Sequence, residues 1–223
     1  MSPQARSACF EGSAAMPHLF LFIVAAFVLA VTPGPGMLYV VGRTWAAGKA
    51  DGLASSLGTM LGGFVHVTAC VVGVSALVMA SATAFSVLKF VGGIYLIYLG
   101  IQAFRAASRE ALEMSAPAAH GMWRALRQGA VVEATNPKTA AFFLAFIPQF
   151  IVTADGHVAM QFLLLGVISV LLNTGADLVA VMGAARLHQK LATRPSLFRR
   201  VRQGSGVLMA SLGIGLIAAR RNT

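Results

Sequence analysis

The sequence predicts an all-α, polytopic membrane protein: six transmembrane helices in two inverted three-helix repeats, with helices 1 and 4 interrupted. Three observations lead there. Of 223 residues, 57% are hydrophobic and only 11% are Asp, Glu, Lys or Arg, against about 25% charged in soluble domains. Charge-free apolar runs recur along the chain, and about 20 such residues cross a bilayer's hydrocarbon core. Thr- and Pro-containing interruptions open the two halves at corresponding places.

A net charge of +10 in a soluble chain would suggest nucleic acid. Here the positive residues sit between apolar runs, so they read as cytoplasmic loops and no nucleic-acid partner is expected. The two cysteines, Cys9 and Cys70, offer neither a disulfide framework nor metal-ligand spacing. No metal and no cofactor is expected. Gly34-Pro35-Gly36 lacks the Gly-Lys-Ser/Thr that completes a phosphate loop.

Residues 1–15 are polar, small and unpatterned, and are expected to be a disordered extension before a working start at Met16. Residues 12–42 hold no charged side chain. The run outlasts the apolar core of a signal peptide, about 7–15 residues, so it reads as a retained first helix. Residues 52–88 are also charge-free. A turn at Ser81-Ala82-Thr83 divides them into spans near 52–80 and 84–104, with Lys89 within snorkelling reach of the surface. A polar stretch, Arg105 to Arg127, precedes apolar runs at 139–154 and 156–176, the latter continuing past Asp177 to Ala185. A basic loop from Arg186 to Arg202 leads to the last run, 203–219. The organisation is thus a first repeat at 16–105, a cytoplasmic linker at 106–121 and a second repeat at 122–223.

The loops after helices 1, 3 and 5 carry two, four and six Lys or Arg residues, beginning with Arg43 and Lys49. The other side carries four: Arg6, Lys89, Arg220 and Arg221. This imbalance places those loops in the cytoplasm and both termini in the periplasm.

The first span contains Thr32-Pro33-Gly34-Pro35-Gly36. Its prolines remove backbone donors and its glycines are expected to let the chain unwind. The second half has Thr135-Asn136-Pro137-Lys138 before a run that, from Pro137 to Ile151, makes only about 22 Å of helix. The amphipathic stretch Met122–Ala134 is expected to enter the membrane, break at Asn136-Pro137 and continue. Irregular backbone survives in a bilayer only inside protein or along a water-filled cavity. Paired interruptions in corresponding segments point to a transporter's binding site. Exposed helix ends offer N–H donors to an anion and carbonyls to a cation, and an amino acid has both charges.

These residues resemble the lysine/homoserine–threonine exporter (LysE/RhtB) family. The carriers are Thr32-Pro33-Gly34-Pro35, Gly58 and Gly62 with His66, Gly92-Gly93-Ile94-Tyr95-Leu96-Ile97-Tyr98-Leu99-Gly100, Asn136-Pro137-Lys138 with Phe142-Phe143, and Pro148-Gln149-Phe150. The stretch Asn173-Thr174-Gly175-Ala176-Asp177 departs from the family in lacking aromatic residues. The resemblance implies six helices in a bacterial inner membrane and proton-coupled export of amino acids or related small metabolites.

Thr32, Pro33, Gly34, Pro35, Asn136, Pro137 and Lys138 are the expected substrate-binding residues, with Tyr39 and Tyr95 as candidate gates or mere packing. Lys138 can meet a substrate carboxylate or snorkel to the cytoplasmic face. Asp177, Glu133 and His66 are the candidates for proton coupling. Asp177 continues a stripe with Ser169 and Asn173, and an intramembrane carboxylate is a functional candidate by default. Its alternatives are an interfacial charge or a structural pair with Lys138. Glu133 can pair with a substrate ammonium or with Arg127. His66 continues the small-residue stripe Ala54, Gly58, Gly62 and Cys70. It faces the bundle as a titrating group or as a hydrogen bond joining two helices. The glycine-rich faces of helices 2, 3 and 6 can pack within a monomer or build a homodimer.

An enzyme is not expected, because no nucleophile–base set or metal-binding His-Glu-x-x-His stands in a span. A metal or ion carrier of similar size would line its path with more Asp, Glu and His than this chain has.

Overall fold

The computed structural model of the protein describes residues 19–74, 76, 81–106, 121–153 and 156–191, and in the last segment 203–204, 206–207, 210–211, 213–215 and 217–218. The expected N-terminal extension, most of the linker, most of the Arg186–Arg202 loop and the Lys89 side chain fall outside this description.

All regular structure among the described residues is helical. Helix α1 (Leu19–Val31) meets α2 (Pro35–Ala47) at 44°. Helix α3 (Lys49–Ala69) ends in a π-helical turn, Cys70–Val74. Helix α4 covers Ala82–Ala106 and α5 covers Met122–Ala134. Helix α6 (Pro137–Ala141) runs on through a π turn, Phe142–Phe146, and a 3-10 turn, Ile147–Phe150. Helix α7 (Val158–Leu191) is 34 residues long, and α8 is helical at its described positions within 203–218. Among the described residues Lys49–Val74 and Val158–Arg186 are long and apolar enough to cross a membrane, and the bent α1–α2 pair passes as a third span.

The breaks follow from the sequence. Pro35 begins α2, where its missing N–H costs nothing. Asn136 caps α6, its side-chain oxygen accepting from the Lys138 backbone N–H at 3.0 Å, and Pro137 follows at the first helical position. Gly34 corrects one expectation. Its φ of −121° and ψ of −177° are ordinary extended backbone, so glycine is not needed there for unwinding. It is needed for close approach, since a Cβ at Gly34 would stand 3.0 Å from the Lys138 stem.

Arg43 is a second correction. Counted with a loop, it lies in α2, fully buried, paired to Asp51 at 2.8 Å. The two meet across a turn at Gly48, whose φ of +88° favours glycine. Each charge compensates the other, so both can leave water.

The glycine faces are used within the chain. A Cβ on Gly58 or Gly62 of α3 would collide with the Leu126 or Ala130 carbonyl of α5, and one on Gly129 of α5 would press on the Ser55 carbonyl. Gly93 and Gly100 of α4 stand likewise against Gly213 and Gly206 of α8. Beside this, the α6 segment packs on α1: Phe22 lies 5.1 Å from Phe150 and 6.2 Å from Phe142, ring centre to ring centre. Phe142, Phe146 and Phe150 continue the stack at four-residue spacing.

Candidate functional site

The two breaks meet in the interior and exchange polar contacts. At the first, Thr32 is buried and donates its hydroxyl back to the Val28 carbonyl at 2.7 Å. At the second, Lys138 is 5% exposed. Its ammonium crosses to the first break and donates to the carbonyls of Leu29 at 3.0 Å and Thr32 at 2.8 Å. Leu29 lies in the last turn of α1, where its carbonyl also accepts from the Thr32 backbone N–H at 3.2 Å, and Thr32 stands just past the helix's negative end.

Glu133 is buried at the end of α5. Its carboxylate accepts from the Asn136 side-chain amide at 2.8 Å and from the Thr139 hydroxyl at 2.6 Å. It lies so close to Gly36 that a Cβ there would collide with it. Gly36 is in the first turn of α2, the positive end of that helix. A protein cation thus closes one half of the broken first helix and a protein anion the other. Thr32, Gly34, Gly36, Asn136 and Lys138 come together here. Pro33 and Pro35 shape the break and contribute no donor.

Asp177 of α7 is fully buried. One carboxylate oxygen accepts from the Thr59 hydroxyl at 2.8 Å, and the other has no hydrogen-bond partner. Beside Glu133 and Lys138 lies a cavity of about 20 Å³, lined also by Leu29, Thr59, Thr139 and Asn173 among others. That is room for about one water molecule, so this conformation is closed around its polar groups. No group of three or more His, Cys, Asp or Glu side chains stands together among the described residues.

His66 is placed as a link between helices. Its Nε2 lies 3.0 Å from the Glu133 carbonyl; a carbonyl only accepts, so that nitrogen carries the proton. The ring stands 5.7 Å from that of Phe143. Tyr39 sits to one side, its hydroxyl 3.1 Å from the Ala125 carbonyl and 3.2 Å from the Gln128 side chain. Tyr95 is not brought to the cluster. It is 39% exposed on α4 and stacks on Tyr98 at 6.2 Å.

Sequence reasoning missed Thr59 and Thr139. Thr59 carried a signal: Asp51, Ser55 and Thr59 recur every four residues in an apolar span and all are buried. Thr139 carried none, because its partner Glu133 lies across the break.

Comparison with known proteins shows the family. The family model described as LysE type translocator matches residues 27–220. A homoserine/homoserine lactone efflux protein of Salmonella typhimurium is 31% identical over 204 residues, 90% of this chain and 96% of its own. An uncharacterized membrane protein of Vibrio cholerae is 29% identical, covering 91% of this chain and 98% of its own. A leucine efflux protein of an Enterobacter species is 25% identical, covering 90% and 89%. No solved structure matches. With a match that spans most of its length, two interrupted helices meeting at buried charges, and efflux proteins among its relatives, the chain is a multi-pass membrane protein belonging to the LysE type translocator family.

Proposed function

We propose that the protein exports amino acids or related small metabolites, of the homoserine or leucine kind, across the bacterial inner membrane in exchange for protons. In this reading six helices form two inverted repeats, 16–105 and 122–223, joined through 106–121, with both termini in the periplasm. The Lys and Arg imbalance between alternate loops supports that orientation.

The observation that carries the reading is the pair of helix breaks closed by Lys138 and Glu133. Such breaks are where transporters place polar ligands in a bilayer. Homoserine and its lactone, named together for one relative, share an ammonium group but not a free carboxylate. Leucine, named for another, has the ammonium too. Recognition of the ammonium is therefore assigned to the carbonyls of Leu29 and Thr32 and to Glu133. Tyr39, Pro33, Gly34, Pro35, Asn136 and Pro137 shape the surrounding wall. Asp177, with one oxygen unpartnered, is the proton acceptor, and His66 holds α3 to the second break.

The test is export from cells preloaded with dipeptides, with and without the protein. A faster fall of one internal amino acid, matched by its appearance outside and abolished by a proton uncoupler, supports the reading. No change for any amino acid or for homoserine lactone overturns it.

A further inference from the structure

The closed site already holds an ammonium group. Lys138 donates to the two carbonyls at the end of α1, and Gly34 leaves room for its stem. An amino acid's ammonium carries the same charge and the same three donors. With only about 20 Å³ free, substrate and Lys138 cannot share this place. Lys138 is the mobile partner, having a flexible four-carbon stem. Glu133 is fixed by Asn136 and Thr139.

Resting on the export reading, we propose that Lys138 is a built-in stand-in for the substrate: it fills the ammonium site of the empty carrier, and the substrate's ammonium displaces it. The displaced Lys138 turns to Asp177, whose second oxygen is unpartnered. Pairing with Lys138 requires Asp177 ionised, so substrate entering from the cytoplasm releases one proton there. When substrate leaves outside, Lys138 returns to the carbonyls and Asp177 takes one proton from outside. One substrate moves out for one proton in. Glu133 remains the fixed negative neighbour throughout, and His66 meets only the Glu133 backbone carbonyl.

This separates two activities. Exchange of inside for outside substrate never needs the empty carrier. Net efflux does, and the empty carrier without Lys138 must cross with buried carbonyls uncovered, which a bilayer interior disfavours. The experiment uses the full chain in proteoliposomes with labelled homoserine or leucine, whichever the wild type transports. In Lys138→Met, the ratio of net efflux to exchange is expected to fall by about tenfold or more relative to wild type. If exchange and substrate binding are lost together with net efflux, Lys138 is a direct substrate ligand and the stand-in role is overturned. Should Lys138→Met not reach the membrane, Lys138→Gln, which keeps N–H donors without the charge, carries the same comparison. A wild type that moves neither compound removes the export reading itself, and the stand-in role with it.

Discussion

Thr59 and Asp177, 118 positions apart, meet inside the protein, the threonine hydroxyl donating to one carboxylate oxygen at 2.8 Å while the other oxygen stays unpartnered. In the export reading proposed above, that oxygen is assigned the proton. Asp177→Asn keeps the shape and the Thr59 contact but cannot titrate. Efflux driven by a pH gradient is expected to fall by about tenfold or more, read as labelled substrate lost from vesicles with and without the gradient. Full gradient-driven efflux in this variant would exclude Asp177 from coupling.

His66 separates a linking role from a titrating one. His66→Gln retains a donor for the Glu133 carbonyl and is expected to preserve both thermal stability in detergent and gradient-driven efflux. His66→Leu removes one of that carbonyl's two donors, leaving the Asn136 backbone N–H at 3.0 Å, and is expected to cost about 0.5–1.5 kcal/mol. If His66→Gln instead abolished the response to a pH gradient at unchanged stability, the histidine would carry protons.

Gly58 and Gly62 admit no side chain without moving α5. Gly58→Ala is expected to destabilise the protein by about 1–3 kcal/mol, seen as a lower unfolding midpoint and a smaller membrane yield. Gly73 in the π turn, with nothing within 4 Å of a built Cβ, is the matched control, and Gly73→Ala should leave both measures unchanged.

The Arg43–Asp51 pair is buried on both sides. Asp51→Asn leaves the guanidinium without its carboxylate and is expected to cost about 3–5 kcal/mol. Exchanging both, Arg43→Met with Asp51→Leu, should recover part of that loss. A double variant whose loss equals the sum of the losses in Arg43→Met and Asp51→Leu alone would mean that the two residues act independently.

Much of this was legible before any coordinates. Pro33 and Pro35 lack donors, and Asn136-Pro137 is a helix start, so both breaks stood in the sequence. The stripe from Gly58 through Gly62 to His66 announced a close neighbour, and α5 is that neighbour. What local pattern hid was pairing across distance. Arg43 reads as a loop charge until Asp51 is seen beside it, and Glu133 reads as a partner for Arg127 until Asn136 and Thr139 close over it. Lys138 reads as a contact for a substrate carboxylate, a snorkelling charge or a partner of Asp177, and its acceptors here are backbone carbonyls that no side-chain code displays. Tyr95, read as a gate or as packing, is 39% exposed beside Tyr98, away from the cluster at the breaks.

The contact between α3 and α5 also bears on motion. One helix comes from the first half of the chain and the other from the second, yet their backbones interlock like teeth at Gly58, Gly62 and Gly129. Teeth set that closely turn together or not at all. In the export reading, the swinging members would then not be the two halves as written in the sequence. A composite block built on α3 and α5 would move as one, and the breaks at residues 32–34 and 135–136 are the places left for the rest to bend. Order along the chain and order in the machine are different things here.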